Sequence, residues 1–175
     1  MGLKYGHLSP DMKKAVDKAD AKAAKCILCG DDPEASMVRV KVNFTYRGPV
    51  IGKPRMTQRD KWASRPCVLR YWAFKDRIIE QFIQEFRCLF AAPVALSWTA
   101  YIEMPKSWSN AKRKAIRGQE HRQKPDRDNI DKAIMDALFK EDKKVSSGTL
   151  IKRWADGDGP RIEMEITYET PKGEK

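Results

Sequence analysis

The chain has no apolar run of membrane-spanning length, and residues 1–36 contain no signal-peptide hydrophobic region. Neither a membrane anchor nor a secretory route is expected, so the reading is an intracellular protein, cytoplasmic or nucleoid-associated. Cysteine is too sparse for a disulfide framework: only Cys26, Cys29, Cys67 and Cys88 occur in 175 residues. Cys26-Ile27-Leu28-Cys29-Gly30 has the spacing of half a zinc site, yet no second C-x-x-C or H-x-x-x-H supplies the other half. His7 or a second subunit could complete it; reduced thiols, with no zinc at Cys26 and Cys29, are the expectation. Internal repeats are absent, and so is a regular βαβ alternation. Acidic residues are in deficit, 24 against 35 Lys and Arg, for a net charge of +11. That excess favours polyanionic partners, nucleic acid before an acidic membrane.

The length suits one domain plus an extension. Residues 1–36 read as an N-terminal helical extension: Ser9-Pro10-Asp11 can start a helix, and the following stretch is rich in Ala and Lys. The core begins at Val38, where Val38, Val40, Val42 and Phe44 alternate with polar residues as a half-buried strand. Residues 47–61 read as a basic loop broken by Gly48-Pro49, Gly52 and Pro54. A long helix is expected over residues 68–90, with Trp72, Ile79, Phe82, Ile83, Phe86 and Phe90 on its apolar face. Pro93 breaks it, and Val94, Leu96, Trp98, Ala100 and Ile102 alternate as a second strand. Residues 105–124 form a basic connection with Glu120 as its sole acid. Two more strands are expected over 145–154 and 161–168, joined by the turn Asp156-Gly157-Asp158-Gly159-Pro160. The fold class is α+β, a mixed and largely antiparallel sheet packed against helices. The domain spans residues 37–170, and residues 171–175 are a frayed tail.

The chain is organised around residues 124–138, Lys-Pro-Asp-Arg-Asp-Asn-Ile-Asp-Lys-Ala-Ile-Met-Asp-Ala-Leu. Pro125 brings the chain in extended, so Asp126 and Asp128 point to one side if that form persists between them. Asp128 or Asn129 is the expected N-cap of a helix whose Ile130, Ala133, Ile134, Ala137 and Leu138 make one apolar face. Asp128, Lys132 and Asp136 fall at intervals of four on another face. Two readings stand here. A solvated stripe would gain a few tenths of a kcal/mol from ordinary i,i+4 pairing. Alternatively, the crowded carboxylates of Asp126 and Asp128 repel unless a cation intervenes, and clustered hard oxygens suit Mg²⁺.

This stretch resembles the signature of RusA-type Holliday-junction resolvases, D-x-D-N-x-x-K-A-x-x-D-A-L. Gly52-Lys53-Pro54-Arg55-Met56 is similar to that family's early basic G-x-P-R segment, and Met104-Pro105-Lys106-Ser107-Trp108-Ser109 to its M-P-K-S-W-S. The three motifs stand in the family's order, and the resemblance covers residues 38–169.

The resemblance implies a structure-selective endonuclease that resolves four-way DNA junctions in recombination and repair, with Mg²⁺ as cofactor and Mn²⁺ as a substitute. A homodimer is implied for paired incisions, with branched DNA as the partner and no membrane. Its functional set carries over as Asp126, Asp128, Lys132 and Asp142. The carboxylates would hold metal and Lys132 would stabilise transition-state charge. Asp142 is matched across a loop shorter than the family's, with Glu141 as substitute, and Asp136 would orient Lys132 or a metal-bound water. Lys53, Arg55, Lys106, Lys112, Arg113, Lys114, Arg117 and Lys124 would contact the DNA backbone, with Trp108 packing or stacking beside them. The competing class is a non-catalytic basic DNA-binding protein whose acids only cap and pair.

Overall fold

The computed structural model describes residues 37–61, 65–86, 93–139 and 142–171, together with Asp11, Lys14, Ala15 and Lys18. The expected N-terminal helix as a whole, the Cys26/Cys29 pair, Phe90, Glu141 and the last four residues lie outside the described residues. Strands β1 (Met37–Arg47), β2 (Pro93–Ile102), β3 (Leu150–Trp154) and β4 (Arg161–Pro171) form one sheet in the order β1-β4-β2-β3. β4 runs antiparallel to both β1 and β2, and β3 lies parallel to β2. Helices α1 (Pro66–Phe86), α2 (Asn110–Ile116) and α3 (Arg127–Leu138) complete an α+β fold. Among the described residues no helix is long and apolar enough to cross a membrane.

The core follows from the two periodicities in the sequence. Phe44, Leu96, Trp98, Ala100, Ile162 and Ile166 face inward at every second position. Against them lie Phe74, Ile78, Ile79 and Phe82 of α1 and all five predicted apolar residues of α3. Phe44–Phe82 and Tyr46–Phe74 meet edge to face, at 5.0 and 5.2 Å between ring centres, which lets large rings interlock without empty space.

The sheet departs from expectation in its connections. The 156–160 turn does not close a hairpin, because β2 lies between β3 and β4. The parallel β2–β3 pair instead encloses α2 and α3 in a crossover, as parallel strands require. Helix α2 stands in the stretch expected to be a connection; Ser109 caps it by accepting the Lys112 N–H at 3.3 Å. Helix α1 opens with Pro66 in its first turn, where a missing N–H costs no hydrogen bond. Pro93 is the first residue of β2, a position that tolerates the loss of a donor. The strand expected from residue 145 begins at Leu150, although Leu96 N–H and Trp98 N–H already bond the carbonyls of Ser147 and Thr149.

Candidate active site

Helix α3 presents the acidic motif at its N-terminus. Asp126, and neither Asp128 nor Asn129, is the N-cap, because the helix starts at Arg127, two or three residues earlier than those caps would give. Its backbone is extended, following a cis Lys124–Pro125 bond, and its carboxylate makes no capping hydrogen bond. Asp126 and Asp128 are both exposed on the solvent side of the first turn. Lys132 places its ammonium 3.4 Å from the Asp128 carboxylate, and both side chains are more than half exposed.

Asp136 does not complete this stripe. Its carboxylate accepts the Tyr71 hydroxyl at 2.7 Å and pairs with Lys53 at 2.6 Å, tying α3 to α1 and to the basic loop. The expected support of Lys132 by Asp136 is thus replaced by bonds to Tyr71 and Lys53. Burial first, and the hydrogen bond to Asp136 second, push the Tyr71 phenol well above its ordinary range, so it stays a neutral donor. Lys75 also lies near, its ammonium 5.4 Å from the Trp72 ring centre, and burial lowers its pKa against the pull of Asp136.

The loop before α1 is docked on the motif. Lys53 N–H donates to Asn129 O at 2.8 Å. A Cβ on Gly52 would sit 3.0 Å from Pro125 Cβ and 3.2 Å from Asn129 Cβ, so a side chain there would require the motif's turn to give way by a few tenths of an ångström. Further along, Arg65 donates to Asp60 and to Arg55 O, and Asp60 also accepts the Thr57 N–H. Arg65 first, and Thr57 next, hold the Asp60 carboxyl below the usual carboxylate range. The loop is therefore braced at both ends while the Arg55 side chain stays exposed.

On the opposite flank, Lys152 of β3 donates to Gln123 O at 2.8 Å and to Pro125 O at 2.7 Å. Desolvation lowers its pKa, opposed by the charge of Asp126. His121 N–H bonds Lys152 O, and the His121 ring lies 4.2 Å from the Trp154 ring centre. Burial first, and Lys152 second, keep this imidazole neutral at lower pH than usual; its Nδ1 has no hydrogen-bond partner among the described residues. Trp154 carries Trp108 at 4.9 Å, and Lys112 lies 4.0 Å above the Trp108 ring. Trp108 is thus a packing residue, with Lys112 over its ring.

The basic residues fall into two groups. Lys106, Lys112, Lys114, Arg117 and Lys124 are exposed. Lys53 is tied to Asp136, and Arg113 is half-buried and donates to Pro105 O at 2.9 Å, so these two brace the fold. Asp142 does not join Asp126 and Asp128. It lines a separate cavity with Asp131, Met135 and Ser147, and Asp131 there accepts the Trp98 indole N–H at 2.8 Å. Among the described residues no three His, Cys, Asp or Glu side chains converge into a metal cluster, so the expected three-carboxylate grouping is not formed. Asp142 lies beside Asp131 and Met135 on the flank of α3. Tyr71, Lys75, His121 and Lys152 were not singled out in the sequence. A signal existed only for Lys152, a charge standing between Leu150 and Trp154 in an apolar alternation.

A sequence model of endodeoxyribonuclease RusA matches residues 48–167. The chain belongs to the RusA endodeoxyribonuclease family. No curated protein matches it. The RusA match begins at Gly48, ahead of the docked loop, and ends inside β4. It takes in Gly52, Lys53, the acidic motif, Lys132 and Lys152, and leaves out residues 1–36 and β1.

Proposed function

We propose that this RusA-family chain is a Mg²⁺-dependent endonuclease that resolves four-way DNA junctions, working as an intracellular homodimer in recombination and repair. The observation that carries the reading is that Asp126 and Asp128 are both exposed at the start of α3, with the Lys132 ammonium 3.4 Å from the Asp128 carboxylate. The donor set fits the metal: two hard carboxylates, one without a capping bond, leave the remaining positions to water and substrate phosphate, as Mg²⁺ prefers. Mn²⁺ has the same ligand preference and would substitute. When bound, such a cation lowers the pKa of a coordinated water and neutralises charge on the phosphoryl oxygens.

The chain's own residues then have separable tasks. Asp126 and Asp128 hold the cation. Lys132 gives up its loose pairing with Asp128 to face the phosphodiester, where it stabilises charge that builds up in the transition state. Arg55, Lys106, Lys114, Arg117 and Lys124 meet the DNA backbone and set its register. Asp142, in its separate cavity, receives no ligand role. A twofold pair of such sites matches the symmetry of a four-way junction and permits paired incisions.

The test is cleavage by charge-neutral variants. Asp126→Asn and Asp128→Asn should each abolish junction cleavage while junction binding holds or tightens, because each removes negative charge near phosphates. Cleavage equal to wild type in both folded variants would leave the chain a basic DNA-binding protein without this site.

A further inference from the structure

Lys152 stands at a register position that the fold otherwise fills with apolar side chains. It pairs with Ala100 across the parallel ladder, and Leu150 and Trp154 pair with Trp98 and Ile102. Trp98, Ala100 and Ile102 all face the core, so Lys152 points to the helix side of the sheet. A charge there needs a compensating partner. Its partners are the carbonyls of Gln123 and Pro125, at 2.8 and 2.7 Å, on either side of Lys124 and immediately before Asp126. The other side of the same turn rests on Gly52, where an added Cβ would come within 3.0 Å of Pro125 Cβ and 3.2 Å of Asn129 Cβ. Asp126 has no capping bond of its own to fix it. The turn that presents the acidic motif is therefore held between a glycine and an ammonium.

We propose that Lys152 is a positioning residue for the Asp126–Asp128 cation site: its ammonium pins the two carbonyls ahead of Asp126 and so fixes where that carboxylate points. This rests on the cation-site reading above. The sign of one measurement separates it from a merely electrostatic neighbour. Removing a positive charge near Asp126, with nothing else altered, tightens cation binding. Releasing the turn weakens it, as loss of supporting hydrogen bonds does at metal sites generally.

Mn²⁺ binding to the full chain without DNA, followed by electron paramagnetic resonance, reads that sign. Wild type should bind Mn²⁺, and Asp128→Asn should lose it; a wild type that binds none overturns the cation-site reading and this inference with it. Given wild-type binding, Lys152→Met, which keeps the aliphatic stem, should bind roughly tenfold more weakly. Hydrogen exchange at the amides of residues 126–128 should quicken in the same variant. Binding as tight as wild type or tighter, with unchanged exchange, would overturn the positioning role alone. Should Lys152→Met fail to fold, Lys152→Arg carries the test. It keeps the charge but presents a planar fork to two carbonyls matched to a compact ammonium. Weaker Mn²⁺ binding is expected, and wild-type affinity would overturn the proposal.

Discussion

Lys132 and Asp128 approach to 3.4 Å on a wet surface, and as a static ion pair they are worth a few tenths of a kcal/mol. Their significance is that neither is committed elsewhere in the way Asp136 is committed to Tyr71 and Lys53. If Lys132 stabilises transition-state charge, Lys132→Met should slow single-turnover cleavage by roughly a hundredfold or more. Junction affinity should barely change, since one cation among many adds little to phosphate binding. A rate within about twofold of wild type would leave Lys132 a surface residue. Spacing alone placed Asp128, Lys132 and Asp136 on one helix face. It could not reveal that Asp136 turns toward α1, because Tyr71 lies 65 residues away along the chain. Nor could it separate Asp142 from the motif, since that depends on the path of the chain after α3.

At the scale of elements, the β3–β4 turn is closed by charge. Arg161 is buried on the Tyr101 ring, 3.7 Å from its centre, and donates to both oxygens of Asp156 at 2.6 and 2.9 Å. The Arg161 guanidinium holds the Asp156 carboxyl down to about 2, against a smaller upward push from burial. Its ordinary value is about 4, so the stabilisation is fully present above that pH. It is lost as pH falls through the folded value. Asp156→Asn should therefore melt below wild type at neutral pH, and the gap should close between about pH 4 and pH 2. Thermal midpoints across that range check it; a gap independent of pH would contradict the assignment. The elements themselves were readable wherever burial imposes a period, as along α3 and β4. Helix α2 was not, because none of its residues is buried and its sequence carries no apolar stripe. The parallel β2–β3 pairing was also hidden, because it joins residues some fifty positions apart.

The whole molecule carries a net charge of +11, and part of that charge is solvent-facing at Lys106, Lys114, Arg117 and Lys124. Binding should weaken steeply with salt as neutralised phosphates release counterions. Replacing Lys106, Lys114 and Arg117 with Gln should flatten the slope of log affinity against log salt by about one unit for each phosphate no longer neutralised. An unchanged slope would mean that DNA takes another path. Arg113 is left out of that set because it holds Pro105 O, a distinction that a count of basic residues cannot make. The central claim concerns what the assembled surface does to branched DNA. Its most direct measurement incubates the protein with a synthetic four-way junction and a linear duplex of the same sequence, in Mg²⁺ or in a chelator. The account predicts paired incisions in the junction with Mg²⁺, none with chelator, and little cutting of the duplex. Binding without incision under all conditions, or cutting that ignores both the metal and the branch, would contradict it.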